Sequence, residues 1–251
     1  MQEKKWTSCR MTVNGLPQEV RYNEATVEGL FVPFLKKLAE LHMDAQRRIM
    51  AFLAAPPAIG KTTLAQFLEH LSKEREDLPD ICAIGIDGFH YPADYLETHT
   101  VEREGNQVSM ASVKGAPETF DVDRLLAKIR TARHHSTDWP GYDRQKHDIV
   151  PAARPVDSQI FLLEGNWILL NDPRWLHIRI FADYSVFLQA RPELLKDRLI
   201  ARKVQGGMPK EDAEAFYNAS DHPNIERVLQ ESSQADEVWE MQADGDFIRI
   251  R

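Results

Sequence analysis

Apolar residues along this chain fall into two kinds of pattern. Short, nearly continuous runs read as buried strands: Ile49 to Ala54, Ile81 to Ile86, Gln159 to Leu163, Ile178 to Tyr184 and Glu237 to Met241, with Phe247 to Ile250 pairing beside the last. Between them, apolar positions recur at helical spacing over Thr63 to Ser72, Asp121 to Arg133, Pro192 to Val204, Lys210 to Ala219 and Asn224 to Gln234. Pro192 suits a first helical position, where a missing N–H costs nothing. Buried strands alternating with helices predict an α/β fold, with a mostly parallel central sheet and helices on both faces.

The first residues follow a different pattern. Residues 8–13 and 19–22 suit a hairpin around Asn14-Gly15, with a connection longer than a tight two-residue turn. Glu24 to Asp44 then reads as a helix whose Leu30, Phe34, Leu38 and Leu41 make one apolar stripe. The expected organisation is therefore an N-terminal hairpin-and-helix extension over residues 1–46, packed on a core of residues 47–251.

Composition narrows the classes without choosing a function. The 251 residues suit one large domain with an extension, and the 43% hydrophobic and 28% charged content is that of a globule. A net charge of −8 with no basic stripe argues against a nucleic-acid partner. Two cysteines in a chain this long suggest neither a disulfide scaffold nor a zinc site. No apolar run approaches membrane length and the start has no apolar leader core, so no membrane partner is expected and the expected location is cytoplasmic.

Candidate chemistry begins where the first core strand ends. The run Ala54-Ala55-Pro56-Pro57-Ala58-Ile59-Gly60-Lys61-Thr62-Thr63 follows that strand and opens a helix, the context a phosphate-binding loop needs. Backbone N–H groups from Pro57, Ala58, Ile59, Gly60, Lys61, Thr62 and Thr63, so far as each carries one, would turn toward a polyphosphate, helped by the helix dipole. Lys61 would reach the β- and γ-phosphates, and the Thr62 hydroxyl would ligate Mg²⁺. Two positions depart from the motif, since Ala55 and Ala58 stand where glycine is usual. Glycine serves where φ is positive or phosphate comes close, so the two alanines bear on nucleotide affinity.

Two acids fall at other predicted strand ends. Asp87, in Asp87-Gly88-Phe89-His90, is placed to orient or deprotonate an acceptor hydroxyl. Glu164 directly follows the run Ile160-Phe161-Leu162-Leu163 and would hold Mg²⁺ through water or orient the acceptor. Ligands of open parallel sheets gather beyond such strand ends, so Lys61, Asp87 and Glu164 are expected together. Arg198 and Arg202, four apart on one helix, would face a common anion as part of a helical lid near 192–220, with Gly206-Gly207 letting it move. The plainer reading pairs these arginines with Glu193 and Asp197 on the helix surface. The stretches from Trp139 to Asp148 and from Lys114 to Asp121 read as polar loops for an acceptor, and Asp121 also suits a helix cap.

Taken together, these residues resemble the phosphoribulokinase, uridine kinase and bacterial pantothenate kinase family of P-loop kinases. The likeness is closest to a bacterial branch described as nucleoside or nucleotide kinase-like, or fructose transport system kinase-like. It runs from about Arg48 to the C-terminus. It rests on the Pro-Pro phosphate loop, Asp87 to His90, Lys114 to Asp121, Tyr142-Asp143-Arg144, Glu164-Gly165-Asn166-Trp167 and the Arg198/Arg202 segment. The resemblance implies a P-loop NTPase fold and an acceptor-activating role for Asp87. It places His90, Tyr91, Lys114, Tyr142 and Arg144 at the acceptor and makes Arg198 and Arg202 lid arginines.

The resulting expectation is an ATP- and Mg²⁺-dependent kinase. It would transfer the γ-phosphoryl group to a hydroxyl of a small polar metabolite, sugar-like or nucleoside-like, with self-association through the extension left open. The alternative is a nucleotide-binding regulatory protein or slow NTPase with little acceptor phosphorylation.

Overall fold

The structure, a computed structural model, describes residues 4–13, 16–103, 105–143 and 148–251. Asn14-Gly15, the expected hairpin centre, and Arg144 lie outside the described residues. The chain begins with β1 (Trp6–Val13) and β2 (Leu16–Asn23). It continues as a helix made of α1 (Glu24–Thr26), a π turn (Val27–Phe31) and α2 (Val32–Ala45). The core follows with β3 (Ile49–Ala54), α3 (Lys61–Glu74), β4 (Cys82–Gly85), α4 (Ala93–Thr98), β5 (Thr100–Arg103), β6 (Asn106–Ser109) and α5 (Val122–Ala132). Then come β7 (Thr137–Asp143), β8 (Asp148–Val156), β9 (Ile160–Gly165), α6 (Pro173–Arg179), β10 (Tyr184–Gln189) and α7 (Pro192–Gln205). The last elements are α8 (Lys210–Phe216), α9 (His222–Glu231), β11 (Glu237–Met241) and β12 (Phe247–Arg249).

Six strands form the central sheet in the order β12-β11-β10-β3-β9-β4, parallel except for β12. The continuous apolar runs have a simple cause. Ile49, Ala51 and Leu53 of β3 face one core with Ile160 and Leu162 of β9, whereas Met50, Phe52 and Ala54 face a second core with Phe161 and Leu163. A strand buried on both faces has no polar alternation to show. The first core is covered by the N-terminal hairpin and helix and by α3, α7 and part of α9; the second takes in α5, α6 and Trp139. This is the α/β arrangement the alternation predicts. Each fully buried Leu or Phe contributes about 1.5–3 kcal/mol. Among the described residues no helix is long and apolar enough to cross a membrane.

Several elements differ from their sequence expectation. Ile178 to Tyr184 is not a strand: Ile178 and Arg179 form the end of α6, whose N-cap Asp172 accepts from Arg174 N and whose Trp175 and Ile178 are buried at helical spacing. The strand is the next run, Tyr184–Gln189. Within the Trp139 to Asp148 stretch, Trp139 to Asp143 and Asp148 belong to the paired strands β7 and β8, whose pairing slips between Trp139 and Gly141. Pro140 and Gly141 at that slip hide the strand signal. The N-terminal strands run longer than expected, with Val13 opposite Leu16. The two predicted C-terminal helices are continuous, joined by a π turn, Tyr217–Asp221.

One charge cluster ties the starts of β3 and β10 to the end of α5. Asp183, just before β10, accepts hydrogen bonds from Met50 N (2.8 Å), from Arg47 (2.7 Å) and from Arg133. Burial works against its charge, but the Arg47, Arg133 and amide hydrogen bonds prevail and hold its carboxyl below its ordinary value. A depressed carboxyl stabilises the fold above the unfolded-state value and loses that contribution as pH falls through the folded one. Asp183→Asn is therefore expected to lower stability by about 2 kcal/mol near pH 7. The gap from the parent protein should narrow below about pH 4. Urea denaturation at the two pH values checks this, and a gap independent of pH would refute it.

Candidate active site

The loop after β3 is built by two left-handed residues. Ala58 has φ 65° and Gly60 has φ 93°, and Gly60 caps α3 without any side-chain hydrogen bond. Leu64 N already bonds to Gly60 O, so the N–H groups that open the helix remain for an anion. Such a cradle fits a nucleotide's phosphates. Arg198, on α7, donates from Nε to Ala58 O at 2.8 Å. That contact places Arg198 on the phosphate loop. Arg202 lies one turn further along the same helix and is exposed.

Ala58 carries the strain that its sequence departure from glycine implied. A left-handed residue with a Cβ costs about 1–2 kcal/mol, partly offset by its smaller unfolded-state entropy. Ala58→Gly is expected to raise stability by about 0.5–1 kcal/mol. A denaturation midpoint below that of the parent protein would count against strain at this residue. Ala55, the other departure, is fully buried against the first core and has no left-handed backbone.

The sheet order sets three of the candidate residues at neighbouring strand ends. β9 lies between β3 and β4, so Glu164 stands between the loop bearing Lys61 and Thr62 and the turn bearing Asp87. Glu164 is 5% exposed. Its Oε1 accepts from Thr62 Oγ1 at 2.8 Å, and its Oε2 lies 3.8 Å from Lys61 Nζ. A hydroxyl and a carboxylate side by side are hard oxygen donors, a set that suits Mg²⁺.

Beyond β4 the chain makes a single 3₁₀ turn, Asp87–Phe89, anchored by Ile86 N to Glu164 O at 3.1 Å. Gly88 is required there, because a Cβ would come within 2.5 Å of the Pro140 backbone. Arg124 donates to Gly88 O at 2.9 Å. Asp87 thus opens a turn braced by β7, β9 and α5, and it is half-buried.

Of the expected acceptor residues, three converge. The buried His90 ring lies 3.8 Å from that of Phe120 and 6.0 Å from that of Tyr142, whose own ring has Lys114 Nζ at 5.0 Å. His90 Nδ1 is 3.3 Å from both Thr119 O and Thr119 Oγ1. Tyr91 instead stacks on Tyr95, and Tyr95 on His99, at 4.3 and 3.6 Å. The segment carrying Lys114 is pinned by Trp167 Nε1 to Gly115 O (2.9 Å) and by Glu118, which accepts from Arg103 (2.8 Å) and Arg227 (2.6 Å). Asp121 caps α5 through Arg124 N, as its position suggested.

Sequence reasoning missed the supports. Trp139 donates to Gly85 O at 2.8 Å, and Trp167, Glu118 and Arg227 fix the Lys114 segment. The buried polar tips of the tryptophans were the available signal, since a buried indole N–H needs a partner.

No protein-family model matches the chain. It is 42% identical over 238 residues to the uncharacterised protein YggC of Escherichia coli (strain K12), spanning 94% of this chain and 97% of YggC. It is 26% identical to the pantothenate kinase of Rhodococcus erythropolis (strain PR4 / NBRC 100887), across 94% of this chain and 81% of that enzyme. A solved structure from Silicibacter sp. TM1040, described as a candidate fructose transport system kinase, matches with a TM-score of 0.69 at 25% identity. That match covers 80% of this chain and 98% of the other.

Proposed function

We propose that this chain, which belongs to the family of the Escherichia coli protein YggC and with it to the P-loop kinase superfamily, is an ATP- and Mg²⁺-dependent small-molecule kinase. It transfers the γ-phosphoryl group to a hydroxyl of a small polar metabolite, sugar-like or nucleoside-like. The observation that carries this reading is the Glu164 carboxylate between Thr62 and Lys61, one strand away from the Asp87 turn.

The roles follow from charge and position. The N–H groups at the start of α3 and the Lys61 ammonium hold the polyphosphate. Thr62 and Glu164 would hold Mg²⁺, which when bound neutralises phosphate charge. Asp87 orients the acceptor hydroxyl and takes its proton as that oxygen bonds to the γ-phosphorus and the bond to the ADP oxygen breaks. Arg198 and Arg202, on a lid running from α7 into α8, offset charge on the transferring group. His90, Tyr142 and Lys114 line the acceptor side with Arg144, and Tyr91 borders it.

A second reading, a nucleotide-binding regulator with slow turnover, draws on strained Ala58 and on the Thr62 and Lys61 contacts to Glu164. The test is Mg²⁺-dependent ADP release from ATP across a panel of sugars, nucleosides and pantothenate. Release that rises with one acceptor class supports the kinase and names its substrate. ATP binding without acceptor-dependent release rejects the kinase in favour of the regulator.

A further inference from the structure

We propose that Gly85 is a positioning residue for Glu164, its missing side chain being what holds the carboxylate against Thr62. This rests on the kinase reading above. In the parallel pairing of β4 with β9, Gly85 stands opposite Glu164. A Cβ built on Gly85 would lie 2.8 Å from Glu164 Oε1 and 3.4 Å from its Cδ. Oε1 is the atom that accepts from the Thr62 hydroxyl. The carboxylate therefore occupies the space that any other residue at 85 would fill.

The backbone does not itself ask for glycine there. Gly85 is absent from the residues with positive φ, so an alanine would adopt the same strand conformation without strain. Gly85 is the last residue of β4, and its carbonyl is fixed by Trp139 Nε1 at 2.8 Å. The nearest atoms to the added methyl belong to the far end of a flexible side chain. The carboxylate gives way, not the sheet. Gly85 thus differs from Gly88, whose added Cβ would strike backbone.

The consequence is a substitution that spares the fold and spoils the site. Gly85→Ala is expected to melt within about 3 °C of the parent protein. The Mg²⁺ concentration at which ATP binding is half-strengthened should rise by about tenfold or more, one such factor being the scale of a lost outer-sphere contact to a metal. ATP affinity is titrated across Mg²⁺ concentrations for the parent protein, Gly85→Ala, Glu164→Gln and the double variant. If Gly85 acts through Glu164, adding Gly85→Ala to Glu164→Gln shifts the Mg²⁺ dependence no further. A shift that adds in full to that of Glu164→Gln overturns the proposal. So does an unchanged Mg²⁺ dependence in Gly85→Ala when Glu164→Gln has moved it. A Gly85→Ala protein that melts about 8 °C lower or fails to fold also overturns it, because the sheet has then yielded in place of the carboxylate. Should Glu164→Gln itself leave the Mg²⁺ dependence unchanged, the metal role in the kinase reading fails first.

Discussion

Lys61→Ala is expected to remove measurable phosphoryl transfer and to weaken ATP binding by at least about tenfold, a loss of roughly 1.4 kcal/mol. Lys61 is the first residue of α3, directly after left-handed Gly60, and its side chain is only 12% exposed. A long cation held in that position supplies charge at the phosphates that no backbone N–H replaces. Its 3.8 Å approach to Glu164 predicts a second effect. Removing the ammonium leaves a largely buried carboxylate with less compensation, so the nucleotide-free variant is also expected to melt lower. Calorimetric ATP titration, steady-state ADP release and a melting curve on the same preparation check all three. Unchanged affinity and rate in a folded variant would refute the phosphate-loop assignment.

Asp87→Asn is expected to behave differently, cutting turnover by about 10²–10⁴-fold with ATP affinity preserved. The exchange keeps shape and the backbone bond from His90 N to Asp87 O, so the 3₁₀ turn and its contact with Pro140 should survive. What disappears is a group able to accept a proton. Asp87 stands on the β4 side of Glu164, away from the loop that begins α3, and this separation is why affinity and rate should part. Single-turnover measurements with saturating ATP isolate the chemical step. Normal turnover in this variant would remove Asp87 as the base.

The three polar strand ends were legible from alternation alone, because each followed an apolar run that had to be a buried strand. The sheet order that makes them neighbours was not, since β9 enters between β3 and β4 from far along the chain. The hairpin from Thr137 to Val156 was obscured by Pro140 and Gly141, which mark a turn in most sequences and a slip in pairing here. Ile178 was misread because a short apolar run fits either period; Asp172-Pro173 before it was the helix start that decides. The contact from Arg198 to Ala58 and the space Gly85 leaves for Glu164 depend on elements distant in sequence. Tyr91 carried a resemblance-based expectation; it lies just ahead of the N-cap Pro92 of α4 and stacks on Tyr95 inside that helix.

The order of strands in the sheet also governs when the phosphate loop can take shape during synthesis. A nascent chain that has released β3 and α3 has released neither of the strands that flank β3, because β9 and β10 both belong to the later half of the molecule. Ala58 cannot be held by Arg198 until α7 has also emerged. The segment that names this fold is thus made before the strands and helix that complete it, and until they emerge both edges of β3 lack their pairing strands.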